Sequence, residues 1–305
     1  MSQFTKARSL WFRVIKKICW SNPIMRKITR NWSDEKYIKA NYWWCTCKRL
    51  DLVNPKRYTE KLQWLSLNDH SEIRTIATDK YLVREYIAEV MKKNNLPDIL
   101  IPLLGVFDKA EDINWNELPN AFVMKANHGS GWNILVKDKK TLDKKETEKK
   151  LNNWLNDSYY NYGREHQYKT IIPKIVCEDF LLNKDGSEIF DYKFMCFNGK
   201  PEMLWVDYNR HTNHVRNFYD LEGNPLGFES DEPADYRIKL ELPPNYDLML
   251  DVVRVLAKPF KHVRVDLYNV DGKIYFGELT FSSWGGFVVY RSDDLDEKWG
   301  NLLNL

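Results

Sequence analysis

The sequence predicts an α+β fold in which antiparallel sheets face one another across a cleft, and three observations carry that expectation. Segments 58–65 and 76–87 place apolar residues at helical spacing, which reads as two helices. Seven later runs, 121–125, 134–137, 175–180, 192–197, 203–207, 263–268 and 273–279, are β-rich, several of them bounded by Gly or Asn-Gly turns. Asn198-Gly199 and Asp271-Gly272 mark hairpins, because both central residues of a type I′ turn need positive φ. Antiparallel pairing therefore dominates the C-terminal half, and a cleft between sheets is the natural place for a ligand.

Length and composition agree with a fold of this kind. A chain of 305 residues buries a substantial core and suits two or three subdomains around one cleft. Hydrophobic residues at 43% and charged residues at 29% exclude a disordered chain. The 12 Trp and 17 Tyr favour flat ligands such as sugars and bases, although any single Trp reads first as core. Five cysteines without a repeated CxxC pattern exclude a disulfide framework and a zinc site, and point to a reducing cytoplasm.

Charge is divided unevenly. Residues 1–50 hold 12 Lys/Arg against 2 Asp/Glu, leaving 34 against 41 in the remainder. The stretch 9–20 mixes bulky apolar residues with cations, as an amphipathic helix at an anionic membrane surface or on a partner would; a helix packed on the body is the plainer reading. Arg13, Lys16 and Lys17 interrupt it, which argues against a signal peptide or a membrane span. The run 137–150 is diluted by Asp and Glu and reads as a solvated face, so no nucleic-acid partner is expected. The expected organisation is a basic extension at 1–50, a helical or α/β part at 51–120, a small lid at 121–182 and a C-terminal part at 183–305 that carries the acids of the second constellation below.

Three constellations carry chemistry. In Phe122-Val-Met-Lys-Ala-Asn-His-Gly-Ser-Gly-Trp-Asn133 a strand delivers Lys125 into a loop of His128, Gly129, Ser130 and Gly131. Glycines let backbone N–H groups converge on phosphoryl oxygens, while lysine adds a compact charge and serine a hydroxyl. The Walker spacing is missing, and a simple tight turn is the alternative. In the second, alternation puts Arg264 and Asp266 on one face of their strand, and Glu278 and Thr280 on one face of theirs. Oxygen ligands converging from paired strands suit Mg²⁺; a cross-strand salt bridge is the plainer reading. In the third, the apolar strand ending in Glu178, Asp179, Phe180 and Leu181 could frame adenine. The following Asp191 and Lys193 share a strand face, fit either for ribose and phosphate or for a surface ion pair. His211, His214 and Arg216 lie in a polar run that could bind an acceptor, though a loop of satisfied histidines is the safer reading.

Taken in order, Asp79-Lys80, Val123-Met-Lys125, Cys177-Glu-Asp-Phe180, Arg264-Val-Asp266 and Glu278-Leu-Thr280 resemble the ATP-grasp superfamily. More narrowly, Glu60-Lys-Leu-Gln-Trp64, Asp79-Lys-Tyr81, Asn127-His-Gly129, Phe197-Asn-Gly-Lys-Pro201, Arg216-Asn-Phe-Tyr219 and Phe276-Gly-Glu-Leu-Thr-Phe281 look like the TupA-like ATP-grasp family of bacterial surface-polysaccharide clusters. The resemblance spans about residues 50 to 298. It implies that ATP lies between two β-rich subdomains, with Lys80 and Lys125 on its phosphates, His128, Gly129, Ser130 and Gly131 covering them, and Glu178 to Leu181 around adenine. It further implies Mg²⁺ on Asp266 and Glu278, with Arg264 facing the transferred phosphate. ATP-grasp enzymes commonly offer the metal Glu-x-Asn, so Thr280 is a departure and a weaker ligand. The implied activity is a carboxylate–amine ligase acting on a sugar acid and an amine donor for a surface glycan. A sugar phosphotransferase, a glycosyltransferase and a noncatalytic glycan-assembly protein are the alternatives.

Overall fold

The computed structural model describes residues 23–305 apart from 188, 209–212, 229, 231, 289, 291 and 292. The cationic stretch 9–20 and His211 lie outside the described residues. In chain order the elements are α1 (Pro23–Thr29), α2 (Asp34–Thr46), α3 (Tyr58–Asn68), α4 (Glu72–Thr78), α5 (Leu82–Lys93), β1 (Leu103–Phe107), β2 (Phe122–Ala126), β3 (Asn133–Val136), α6 (Lys144–Leu155), α7 (Tyr160–Gly163), β4 (Ile175–Asp179), β5 (Asp191–Phe197), β6 (Lys200–Tyr208), β7 (Val215–Tyr219), α8 (Tyr246–Ala257), β8 (His262–Val270), β9 (Lys273–Thr280) and α9 (Asp293–Leu302).

The strands form two antiparallel sheets, of order β1-β4-β2-β3 and β7-β6-β5-β8-β9. All seven expected runs are strands, and both expected turns have positive φ at both positions: Asn198 50° and Gly199 79°, Asp271 50° and Gly272 81°. The small sheet draws its edge strand β1 from within 51–120, where it pairs with β4. Its buried face, with Phe122, Met124, Ile175 and Cys177, packs on Leu151 of α6.

The large sheet has two unlike faces. Tyr192, Phe194, Leu204, Val206, Val263, Val265, Leu267 and Phe276 form one apolar layer with α8 and α5. Strand alternation sends Met195, Phe197, Met203, Trp205 and Phe218 to the other face, where Tyr58, Leu62 and Leu65 of α3 and Leu295 and Trp299 of α9 cover them. The rest of that second face, at β5, β8 and β9, carries Lys193, Arg264, Asp266 and Glu278. Charge cannot be covered by an apolar helix at low cost, and this part of the sheet is where the cleft lies.

One expectation needs correction. The segment 76–87 is not one helix: α4 ends at Thr78 and α5 begins at Leu82, for a reason that belongs to the site. The described part of the basic extension is integrated into the body. Tyr37, Ile38, Tyr42 and Cys45 of α2 form a core cluster with Leu50 and Phe287, and the Tyr42 hydroxyl lies 2.9 Å from Thr59 Oγ1. Some of the family-like motif residues are structural. Glu60 Oε2 accepts from Lys56 N and Arg57 N, both at 3.0 Å, and Gln63 Nε2 donates to Gly285 O at 2.8 Å.

Candidate active site

A cavity of about 470 Å³ opens between the sheets. Its walls are Lys80 with the start of α5, Lys125 and Glu178 of the small sheet, residues 130–132, a tyrosine-rich segment at 159–168, and Arg264 with residues 276–280 and 282–285.

Asp79 explains why the chain breaks between α4 and α5. Its Oδ1 accepts from Tyr81 N at 2.8 Å and Leu82 N at 3.2 Å, capping α5. The same oxygen accepts from Asn127 Nδ2 at 3.0 Å, and Asn127 also binds Ile172 O and Lys174 N. Lys80, in the break, donates its N–H to Asn127 O and its Nζ to Gly129 O. Burial lowers the Lys80 pKa to about 8; Lys125 adds to the fall, while Glu278 opposes it. Asp79→Ala removes the cap and a partner of Asn127 together. It is expected to lower the unfolding free energy by about 1–3 kcal/mol in urea titration. A loss under about 0.5 kcal/mol would mean that packing alone holds the break.

Strand β2 alternates buried Phe122, Met124 and Ala126 with half-buried Val123 and Lys125. Val123 pairs with Glu178 and Lys125 with Val176, so Lys125 and Glu178 are diagonal neighbours on the cleft face. Lys125 Nζ reaches Glu178 Oε2 at 2.6 Å, and Arg84 Nη1 reaches Oε1 at 2.6 Å. Glu178 is thus held between two cations. Asp179, Phe180 and Leu181 run on beyond it, partly exposed, and do not line the cavity.

The β2–β3 loop meets the expectation only in part. Ser130 and Gly131 line the cavity. His128 turns away and is 3% exposed; its Nε2 lies 3.0 Å from Trp154 O and 3.2 Å from Asp157 O, pinning the loop to the end of α6. Burial lowers its pKa. A Cβ on Gly129 would lie 2.4 Å from the Trp132 indole, so glycine is required for that ring to fold over the loop.

The acids of β8 and β9 meet through a bulge. Pairs run regularly from Val270↔Lys273 to Leu267↔Phe276, then shift, so that Asp266 faces Glu278 and Arg264 faces Thr280. An unshifted register would set Glu278 opposite Val265, on the core face. The extra residue, Gly277, turns Glu278 and Thr280 to the side of Arg264 and Asp266. A Cβ there would lie 3.0 Å from Asp266 O.

Arg264 is the hub. Its Nε and Nη2 hold Asp266 Oδ1 and Oδ2 at 2.6 and 2.7 Å. Nη2 also reaches Glu278 Oε1 at 2.5 Å and Thr280 Oγ1 at 3.0 Å, while Nη1 reaches Ser283 Oγ at 3.1 Å. Behind it Lys193 Nζ lies 2.5 Å from Asp191 Oδ2 and 2.5 Å from Asp266 Oδ2. Asp191 and Lys193 are therefore a buried floor and not part of the lining. Burial raises the Asp266 pKa against the pull of Arg264 and Lys193. Glu278 is 43% exposed and opens on the cleft. Burial pushes its pKa up too, but Arg264, Lys193 and the Thr280 hydroxyl bring it down to about 2.

These donors fit Mg²⁺ in a limited way. Glu278 is an accessible hard carboxylate with Thr280 Oγ1 beside it, 2.8 Å from Oε1. Asp266 has both oxygens engaged and would turn to a metal only on leaving Arg264 or Lys193. Among the described residues no group of three or more His, Cys, Asp or Glu gathers, so most of an octahedron would fall to phosphate oxygens and water.

The polar run before β7 follows its plainer reading where it is described. His214 Nε2 and Arg216 Nε lie 3.0 and 2.7 Å from Asp207 Oδ1, and the Arg216 guanidinium lies over Trp205 and Trp284. Residues that sequence reasoning missed include Arg84, Tyr159, Tyr162, Glu165 and Tyr168, which no motif or spacing marks. The buried hydroxyls of Thr78 and Ser282 have no hydrogen-bond partner among the described residues, and both residues line the cavity.

Residues 60–304 match the family described as TupA-like ATPgrasp. No curated protein matches the chain. Similar solved structures include the D-alanine–D-alanine ligase from Bacillus anthracis complexed with ATP, at 18% identity and TM-score 0.38, covering 72% of this chain and 55% of that one. An L-amino acid ligase from Bacillus licheniformis is 14% identical with TM-score 0.42, covering 75% and 49%. The ATP-grasp ligase PsnB complexed with minimal precursor, Mg and ADP is 11% identical with TM-score 0.37, covering 86% and 66%. The chain thus matches from about half to two thirds of the length of these proteins.

Proposed function

This chain belongs to the TupA-like ATP-grasp family and has its fold, and on that premise we propose that it is a Mg-ATP-dependent carboxylate–amine ligase. One observation carries the reading: Lys80, Lys125, Arg264 and the half-open Glu278 line a single cleft between two antiparallel sheets.

In this reading Lys80 and Lys125 take the phosphates, Lys125 exchanging Glu178 for phosphoryl oxygen, beneath a loop that His128 anchors and that Ser130 and Gly131 present. Adenine takes the side walled by Val83, Leu100 and Ile101, next to Glu178. Glu278 with Thr280, joined by Asp266 once it is released, would hold magnesium. When bound, the metal neutralises charge on the phosphoryl oxygens. Lys193 and Asp191 hold Asp266 in place from below. Arg264 is a fixed cation where charge develops, and the Ser282 hydroxyl, unpartnered among the described residues, offers with Ser283 hydrogen bonds to the acid substrate. A free carboxylate is a poor electrophile; phosphorylation activates it, and an amine then displaces phosphate to give an amide.

For the acid we favour a sugar acid of a surface polysaccharide, joined to an amine donor, in keeping with the family's glycan context. We place the enzyme in the cytoplasm, with the cationic stretch 9–20 as a contact to anionic membrane or a glycan-assembly partner; no helix among the described residues is long and apolar enough to cross a membrane. Liposome flotation of the chain with and without residues 1–22 tests the contact, and equal flotation would remove it.

Calorimetry with Mg-ATP tests the core of the proposal. Replacing Lys125 and Glu278 together by alanine is expected to weaken binding by about 100-fold or more, since bonds to charged groups are worth roughly 1.5–3 kcal/mol each. Equal heats for both proteins would sink it. ADP release with uronic acids and amines then tests ligation; turnover on a neutral sugar without amine would favour a phosphotransferase.

A further inference from the structure

One acid of the cleft has no task in that scheme. Glu165 precedes the turn His166–Tyr168, is 6% exposed and lines the cavity. Beside it stand Tyr159 and Tyr168, with ring centroids 4.7 Å apart. Its carboxylate accepts from Gln167 Nε2 at 3.0 Å, and among the described residues no cation forms an ion pair with it. Arg74, the cation that bears on it most, directs Nη1 to Leu65 O and Asp69 O and lies 3.4 Å from the Asp69 carboxylate. His166, next in the chain, is stacked on His70. From the opposite wall Glu278 and Arg264 act on the same Tyr168. A carboxylate withdrawn from water ordinarily has a cation for a partner. Here the side open to such a partner is the cavity itself.

We propose that this recess is the amine subsite: Glu165 pairs with the ammonium group of a primary amine, the faces of Tyr159 and Tyr168 cover it, and Glu165 takes the proton that must leave before nitrogen can attack. The inference rests on the ligase reading. The ammonium passes one proton to the Glu165 carboxylate, leaving a neutral amine with a free electron pair. That pair forms the C–N bond to the acyl-phosphate carbon, the C–O bond to phosphate breaks, and phosphate departs with those electrons. The second proton on nitrogen leaves with the phosphate. Ammonium over tyrosine faces is favourable in a desolvated site. Burial lifts the Glu165 pKa to about 7 in spite of Arg74 and Gln167, which makes it a stronger base than an ordinary glutamate.

The raised pKa also gives a readout independent of turnover. The folded protein binds the Glu165 proton more tightly than the unfolded chain, so this group favours folding below its ordinary value of 4.5 and loses that contribution as pH rises through about 7.

The test uses the full chain with the non-hydrolysable analogue adenylyl imidodiphosphate and Mg²⁺, titrated with glycinamide or with its hydroxyl counterpart glycolamide. We expect the wild-type protein to prefer glycinamide by about ten-fold or more and Glu165→Gln to lose the preference. Glu165→Asp should keep part of it. In parallel, the melting temperature of the wild type should fall between about pH 4.5 and 7 by an amount that Glu165→Gln lacks, which also reports that the variant is folded. Equal glycinamide affinity in the wild type and Glu165→Gln, with nucleotide binding intact, overturns the amine subsite alone. Absence of nucleotide binding in the wild type overturns the ligase reading and this inference with it.

Discussion

Arg264→Met is expected to lower ATP-dependent turnover by about 10²–10³-fold and stability by about 3–5 kcal/mol. The two losses have one origin. The guanidinium holds both oxygens of Asp266 and also reaches Glu278, Thr280 and Ser283, while packing on the Trp205 ring with 5.1 Å to its centroid. Methionine keeps much of the packing volume and removes every one of those bonds. Asp266, buried and already raised by desolvation, would be left with Lys193 alone. Acid sensitivity should change too. Glu278 titrates at about 2 in the folded protein against an ordinary 4.5, so it favours folding above 4.5 and loses that contribution as pH falls toward 2. Without Arg264 its folded value rises toward 4.5 and the contribution shrinks. Urea titrations at several pH values together with ADP-release assays measure both effects. A variant within about three-fold of wild-type turnover, less than 1 kcal/mol in barrier, would remove Arg264 from the reacting centre.

Trp299→Ala is expected to cost about 3–5 kcal/mol of stability, the range for emptying a large buried aromatic site. Trp299 is 1% exposed, and its ring centroid lies 4.9 Å from Tyr290, 5.4 Å from Phe228, and 5.7 Å from both Tyr58 and Phe218. The cluster joins α9 and α3 to the same sheet face on which Arg264 and Asp266 stand, so the loss reaches the site by loosening its support. Trp299→Phe should cost clearly less, because among the described residues Nε1 has no hydrogen-bond partner to lose. Guanidinium titration measures the difference. A cost for Trp299→Ala under about 1 kcal/mol would mean that α9 is held mainly by other contacts, such as Asp296 to Thr59.

How much of the site was legible depended on the range over which each signal acts. Arg264 and Asp266 share a face because they stand two positions apart in an extended strand, and that needs no partner strand. That Glu278 joins them was not local in the same way. The hairpin turn sets a register that would have sent Glu278 into the core, and the shift at Gly277 reverses it. An isolated glycine in a strand pattern is a bulge signal, so this feature was within reach of the sequence. The split of 76–87 was also within reach, since Asp is a strong helix cap, but helical spacing on both sides masked it.

By itself the sequence determined the seven strands first expected, the two type I′ turns, the ATP-grasp family and the chain order of the residues that line the cleft, because periodicity, turn chemistry and motif order are properties of neighbouring residues. Only the tertiary structure decided which charges are spent on one another. Glu178 lies between Lys125 and Arg84, and Lys193 reaches Asp266, through pairings that join residues 53, 94 and 73 positions apart. It also withdrew His128 from the cavity and brought Glu165, one of 43 acids in the chain, to its wall beside two tyrosines. Ion pairing and desolvation act through space, and the distances that govern them exist only once the sheets have been brought together.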